Sequence, residues 1–139
     1  MASTAVEADP RLIVFVFPSI PESVRIARLH VRAALGFHGL GEYANDVETI
    51  TSELVTNAVR HVCDDGTETI GIALARAGSP AAVTVIVSDS SPEAPIRRDT
   101  PPDSEQGRGL QIVEALSAHW GWHQQDDGKA VFATLAPEA

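Results

Sequence analysis

A chain of 139 residues has the length of one ordinary domain, and a composition of 44% hydrophobic and 21% charged residues is typical of a globular protein. The formal net charge of −9 opposes general attraction to DNA, RNA or anionic lipid, although backbone amides at a helix end could still bind a small anion. The single cysteine, Cys63, excludes a disulfide framework and a thiolate metal cluster, and no apolar run is long enough to span a bilayer. We therefore expect a cytoplasmic protein that binds neither nucleic acid nor membrane.

The first half of the chain predicts one strand followed by two helices. The run RLIVFVF at 11–17 has the length and the β-branched content of a strand. Apolar residues recur at helical spacing over 22–35, and again from about Tyr43 to Val62, where DDG ends the pattern. We expect residues 1–10 to form a flexible N-terminus.

The second half predicts four more strands and a third helix. TETIGIALA (67–75) and AVTVIVSD (82–89) read as strands, and residues 90–106 contain four prolines and no periodicity, as in a lid, a binding segment or disorder. GRGL (107–110) opens a helix, and WGWHQQ and KAVFATL flank DDG as a hairpin. This order predicts one α+β domain over 11–136, a two-layer sandwich whose predominantly antiparallel sheet has helices on one face.

Three polar side chains form a row beside the apolar side of the second helix. In ITSELVTNAVRHV, the residues Glu53, Asn57 and His61 are four positions apart and therefore align on one face. The row lies at the boundary between core and water, where it is either one wall of a binding site or a solvated flank.

Asp89 ends the strand AVTVIVSD, on the same face as Val83, Val85 and Val87. If the valines line the core, the carboxylate lies in or beside it and needs a hydrogen-bond donor. That donor is either the amino group of a ligand or the backbone of a turn that Asp89 caps.

Two glycines, Gly107 and Gly109, stand at the start of the third helix. Glycine lets the backbone come close to a ligand, and the free amides of a helix start favour phosphate. The segment matches neither the P-loop nor the dinucleotide-binding pattern.

Five segments follow one another along the chain: ELVTNAVRH, VSD, a long loop, GRGLQIV and GKAVF. In this order they resemble the motifs of the GHKL ATPase superfamily, which has the Bergerat nucleotide-binding fold. Among its members the chain is most similar to the anti-sigma-factor serine/threonine kinases, over residues from about 11 to 136. The resemblance implies that Glu53 is the catalytic base, that Asn57 holds Mg²⁺ on the phosphates of ATP, and that Asp89 recognises the adenine amino group.

The resemblance also implies a phosphate-binding turn and a lid. The turn comprises Gly107, Arg108, Gly109 and Leu110, the lid is residues 90–106, and His61 is adjacent to the site. Gly128 and Lys129 fit the last motif of the family, but a hairpin glycine followed by an exposed lysine explains them equally well.

The function implied by the resemblance is a regulatory kinase that phosphorylates an anti-anti-sigma partner of the STAS type and sequesters a sigma factor. Members of the family often pair through their sheets, so a homodimer is plausible. The apolar strand 12–17 could supply the edge for such pairing, although an internal strand accounts for it as well.

One motif departs from the family. Where members follow the adenine-binding aspartate with DxGxG, this chain has Asp-Ser-Ser-Pro-Glu at 89–93, with Ser91 and Glu93 in place of the glycines. The alternative hypothesis is therefore a nucleotide-independent module that binds a sigma factor or its antagonist through a degenerate ATP site. A sensor histidine kinase would need a pair of dimerisation helices with a phosphoacceptor histidine, which this sequence does not contain.

Overall fold

The computed structural model describes residues 11–60, 68–78, 80–91 and 108–137, with the side chains of 11, 60 and 108 excepted. Within these ranges, five strands form one sheet: β1 (Arg11–Pro18), β2 (Thr69–Ala77), β3 (Ala82–Asp89), β4 (His119–Gln125) and β5 (Gly128–Leu135). Three α-helices pack on one face of it: α1 (Glu22–Phe37), α2 (Ala44–Arg60) and α3 (Arg108–Leu116). The predicted α+β fold with helices on one face of an antiparallel sheet is confirmed.

The strand order is β1-β2-β3-β5-β4, and every neighbouring pair is antiparallel. The hairpin of β4 and β5 therefore joins the sheet through β5, which pairs with β3. The register of that pairing sets Asp89 opposite Lys129.

The core lies between the sheet and α2. Alternate residues of β2 and β3 point towards the helices and are buried, among them Ile72 and Val85. They meet the apolar stripe of α2, which we predicted from its spacing and which is buried at Val47, Ile50, Leu54 and Ala58. The fifth predicted member, Val62, lies outside the described residues.

The opposite face of the sheet is covered by none of the described helices. On β1, Val14 and Val16 point to that face and are 52% and 67% exposed. Among the described strands, β1 lies at one edge of the sheet. Of the two alternatives for this segment, the edge strand is confirmed and the internal strand is wrong.

The connection between α1 and α2 differs from the prediction. Gly39 has a φ of 73°, its amide donates to the Gly36 carbonyl, and the Leu40 amide donates to the Leu35 carbonyl at 2.8 Å. This pair of hydrogen bonds around a left-handed glycine is a Schellman motif, which ends α1. A short 3₁₀ turn, Gly41–Tyr43, follows, so α2 begins one residue after the predicted start at Tyr43.

None of the helices in the described ranges combines the length and the apolar character needed to cross a membrane.

Candidate functional site

The first turn of α3 lies directly against two polar side chains of α2. A Cβ built on Gly109 would stand 2.9 Å from Glu53 Oε2 and 3.7 Å from Asn57 Nδ2. Glycine at this position therefore allows the main chain of α3 to approach the row on α2. The structure brings Glu53, Asn57 and Gly109 together from segments more than fifty residues apart in the chain.

Glu53 and Asn57 are both half-buried and lie one helical turn apart on α2. A carboxylate and an amide in that position suit two tasks: accepting a proton and supplying an oxygen to a hard cation. The third member of the predicted row, His61, lies outside the described residues.

The start of α3 is suited to an anion. The helix begins at Arg108 and has no acidic residue in its first turn, so its amides and its dipole are not neutralised there by a carboxylate of that turn. Leu110 is 1% exposed and belongs to the core, so only its backbone could contact a ligand. Gly107 and the side chain of Arg108 lie outside the described residues.

Asp89, at the end of β3, has two donors from the protein itself. The Ser91 amide donates to Oδ1 at 2.9 Å, which is the backbone cap that we considered as one of two alternatives. The Lys129 ammonium lies 3.1 Å from both carboxylate oxygens. The sequence analysis did not predict this second donor.

Lys129 is 1% exposed, and the alternative of an exposed hairpin lysine is wrong. Its position follows from strand alternation, since Val131, Ala133 and Leu135 point to the same buried face of β5. That period of two was visible in the sequence. It would have placed Lys129 on the core face, although not opposite Asp89.

Gly128 holds the start of β5 against the end of β3. A Cβ built on Gly128, which has a φ of 155°, would stand 1.9 Å from the Asp89 carbonyl oxygen and 2.7 Å from Ser90 Cα. The two main chains are therefore in close contact beside the Asp89–Lys129 pair.

α2 is the element that connects the two groups of polar side chains. It packs against α3 at Gly109 and against β3 and β5, the strands that carry Asp89 and Lys129. Of the predicted lid, the structure describes Ser90 and Ser91. The Ser90 hydroxyl donates to the Glu68 carboxylate, whereas residues 92–106 lie outside the described ranges.

The described residues offer few ligands for a magnesium ion. In the described part of the chain, no group of three or more His, Cys, Asp or Glu side chains could hold a metal ion. Mg²⁺ in phosphoryl-transfer sites is usually held by one or two protein oxygens together with phosphate oxygens and water. Asn57, half-buried beside the start of α3, fits that arrangement.

Comparison with known proteins identifies the fold independently. A family model described as a histidine kinase-like ATPase domain matches residues 17–135. The structure of the RsbU and RsbW domains of Rv1364c from Mycobacterium tuberculosis is similar, with a TM-score of 0.59 and 20% sequence identity over 88% of this chain. This chain covers 32% of that one, so the likeness shows the fold alone.

A second solved structure is more distant. The histidine kinase domain of a blue-light activated histidine kinase from Erythrobacter litoralis EL346 has a TM-score of 0.46 and 24% identity, covering 68% of this chain and 45% of that chain. Among curated protein sequences, none matches this chain.

Proposed function

Because the chain belongs to the histidine kinase-like ATPase domain family, we propose that it is an ATP-binding serine/threonine protein kinase of the anti-sigma-factor type. The contact of Glu53 and Asn57 with Gly109 is the observation that carries this proposal. It sets a carboxylate and an amide beside a helix start suited to phosphate. The narrower assignment to anti-sigma-factor kinases is supported by the resemblance of ELVTNAVRH and GRGLQIV to that group.

In this proposal the first turn of α3 would bind the phosphates of ATP, and Asn57 would supply one oxygen to Mg²⁺. Phosphoryl transfer depends mainly on positioning and on neutralising negative charge, and the bound Mg²⁺ would supply that neutralisation. The backbone amides of the turn add fixed partial positive charge, and Gly109 keeps the approach to them free of a side chain.

Glu53 acts as the general base. A serine oxygen of the protein substrate forms a bond to the γ-phosphorus while the bond to the ADP oxygen breaks, and the serine proton passes to the Glu53 carboxylate. Half-burial on α2 keeps this carboxylate positioned without removing it from water altogether.

The proposed protein substrate is an anti-anti-sigma factor of the STAS type, and the proposed binding partner is a sigma factor. Incubation with ATP, Mg²⁺ and candidate STAS proteins should yield phosphoserine or phosphothreonine, detected by mass spectrometry. Tight ATP binding with no transfer to any candidate would count against the kinase.

Glu53→Gln tests the catalytic assignment. We expect phosphoryl transfer to fall by about 10²–10⁴-fold, because the amide cannot accept the proton, while the dissociation constant for ATP stays nearly unchanged. Asp46→Asn, an exposed position on the same helix, is the matched control and should alter neither quantity. Transfer that survives in Glu53→Gln would remove this residue from the chemistry.

Asn57→Ala tests the metal assignment. We expect the affinity for ATP measured with Mg²⁺ to fall towards the affinity measured with EDTA, because the protein ligand to the cation is lost. Asn45→Ala makes the same substitution at an exposed position of α2 and should retain the full Mg²⁺ effect. An equal Mg²⁺ effect in both variants would refute the role of Asn57.

The alternative function, a nucleotide-independent protein-binding module, is favoured by one observation. The Asp89 carboxylate already accepts hydrogen bonds from Ser91 and Lys129, so a base would have to compete with these donors. Calorimetry distinguishes the two functions, since the module would bind its sigma factor or STAS partner equally well with and without ATP.

A further inference from the structure

We infer that Lys129 competes, within the molecule, with the amino group of a purine base for the Asp89 carboxylate, and so lowers both the affinity for ATP and the preference for adenine. The inference rests on the proposed nucleotide-binding function and names a residue that determines how strongly this site prefers adenine to other purine bases.

The hydrogen-bonding capacity of Asp89 is almost filled by the protein. Each carboxylate oxygen offers two acceptor positions. Oδ1 accepts from the Ser91 amide at 2.9 Å and from Lys129 Nζ at 3.1 Å, while Oδ2 lies 3.1 Å from the same ammonium. The ammonium thus faces both oxygens, which is where an incoming amino group would have to donate.

Charge and burial favour the lysine over the base. Both side chains of the pair are 2% exposed, so neither charge is stabilised by bulk water. An ammonium is a stronger donor to a carboxylate than the neutral amino group of a purine, because the ammonium and the carboxylate carry opposite charges that attract each other strongly in a buried site. A base that displaced the ammonium would separate a buried positive charge from the Asp89 carboxylate.

Lys129 cannot move away with its backbone. β5 pairs with β3 in a register that sets Lys129 opposite Asp89, and Gly128 packs against the Asp89 carbonyl group. The ammonium therefore leaves the carboxylate only by a rotation of its own side chain within a buried position. The pair joins β3 to β5, two neighbouring strands of the sheet.

A carboxylate that accepts a hydrogen bond from the amino group of a purine binds adenine better than a 6-oxo purine, because the 6-oxo purine has an acceptor oxygen where adenine has this donor. Because Lys129 already contacts the Asp89 carboxylate, this carboxylate contributes little to the preference for adenine over a 6-oxo purine. The wild-type chain should therefore bind ATP and GTP with dissociation constants within about fivefold of each other, and removal of the ammonium should restore the preference for ATP by about tenfold or more.

The test is calorimetry of the full chain with Mg²⁺-ATP and Mg²⁺-GTP. Lys129→Met keeps an unbranched apolar stem and removes the charge, and we expect it to bind ATP about tenfold more tightly than the wild type with little change for GTP. Lys129→Arg retains a cation and should remain weak. In the double variant Asp89→Ala with Lys129→Met, the gain should disappear because the carboxylate is absent.

Thermal unfolding without nucleotide shows whether each variant is folded, and the rise in Tm on adding ATP gives a second measure of binding. If Lys129→Met does not fold, the wild type still decides: a preference for ATP over GTP of more than about tenfold overturns the inference. An equal gain for ATP and GTP in Lys129→Met also overturns it, since the effect would then not concern the base.

The results separate the inference from the proposed function. Unchanged ATP affinity in Lys129→Met, with a wild type that binds and transfers phosphate, overturns the inference alone. A gain in ATP affinity without transfer supports the inference and counts against the kinase. No nucleotide binding by any variant overturns both.

Discussion

At Gly128 the main chain of β5 comes so close to β3 that a methyl group would overlap the Asp89 carbonyl oxygen, at 1.9 Å. The neighbouring atoms are backbone and cannot rotate away. The requirement for glycine at residue 128 therefore comes from the packing of β5 against β3 and not from the turn alone.

Gly128→Ala should lower the free energy of unfolding by about 3 kcal/mol or more, because the overlap forces β3 and β5 apart. Chemical denaturation followed by circular dichroism measures the change. Gly71→Ala is the control within the same sheet, since its Cβ would meet Ser88 Cβ at an ordinary 3.8 Å. Similar stabilities for the two variants would show that β5 can shift without cost.

Gly109→Ala should act on function more than on stability. The nearest atom to the new methyl group is the mobile end of Glu53, at 2.9 Å, so the carboxylate must shift while the helix remains intact. We expect the free energy of unfolding to change by about 1 kcal/mol or less and phosphoryl transfer to fall at least about tenfold. Transfer at the wild-type rate would show that the position of Glu53 is not critical.

The environment of Asp89 was only partly predictable. Strand alternation indicated that its carboxylate faces the core and needs a donor, and the local sequence allowed the backbone cap that Ser91 provides. Lys129 was not predicted as the second donor, because its contact depends on which strands are neighbours in the sheet. Local periodicity contains no information on that choice.

Among the elements, α1 and α2 are joined on their exposed side by ionic hydrogen bonds. Arg28 and Arg32 both donate to Glu48, with one Arg28 contact at 3.0 Å. The hydrogen bond from Arg32, followed by that from Arg28, holds the pKa of Glu48 below its usual value of 4.5. The carboxylate is therefore favoured in its ionised form when the two helices are packed.

The lowered pKa makes this contribution dependent on pH. Because the folded value lies below the unfolded one, the stabilisation is complete above the unfolded pKa and is lost as the pH falls through the folded pKa. Glu48→Gln should therefore lower the free energy of unfolding by about 0.2–1 kcal/mol at pH 7. The difference from the wild type should shrink below pH 4.5.

Urea denaturation of the wild type and of Glu48→Gln between pH 7 and pH 3 measures this difference in the free energy of unfolding. Glu22→Gln, at the exposed start of α1, controls for the loss of a carboxylate. A difference between wild type and Glu48→Gln that stays constant over this range would contradict the assignment.

The helices and strands were predicted with small errors at their ends. The 3.6-residue period of α2 and the alternation in β2 and β3 are strong because each element buries one face against the other. The turn at 39–43 was less clear, since Tyr43 is apolar at helical spacing yet lies in a 3₁₀ turn. Its hydroxyl donates to the Ala81 carbonyl at 2.6 Å, a tertiary contact that helical periodicity does not indicate.

For the whole molecule, the face of the sheet that none of the described helices covers is a candidate surface for a second copy. Val14 and Val16 lie on β1, which is at one edge among the described strands, and an edge strand can pair with another chain through its backbone. We expect a homodimer in solution and expect Val16→Lys to shift it towards monomer, because a charge would be buried at the contact.

Analytical ultracentrifugation measures the association of wild type and variant. Thr49→Lys adds the same charge at an exposed position of α2, which lies on the other side of the sheet, and it should leave the association unchanged. A wild type that is monomeric at all concentrations tested would contradict this expectation.

At this scale the fold class was predictable and the arrangement of strands was not. The order of elements and the family resemblance indicated an antiparallel sheet with helices on one face. The placement of β5 between β3 and β4 could not be derived from spacing, since several strand orders bury the same apolar faces. The structure places Gly109 beside Glu53 and Asn57, whereas the roles of those residues remain predictions.

The insertion of β5 beside β3 also affects how the protein is made. A chain emerging from the ribosome completes β1, β2 and β3 about forty residues before β5, the strand that pairs with the far edge of β3. Until then the nascent chain presents the open edge of a valine-rich strand, which is prone to pairing with other chains. Ribosome-bound chaperones would be expected to engage the growing polypeptide during this interval.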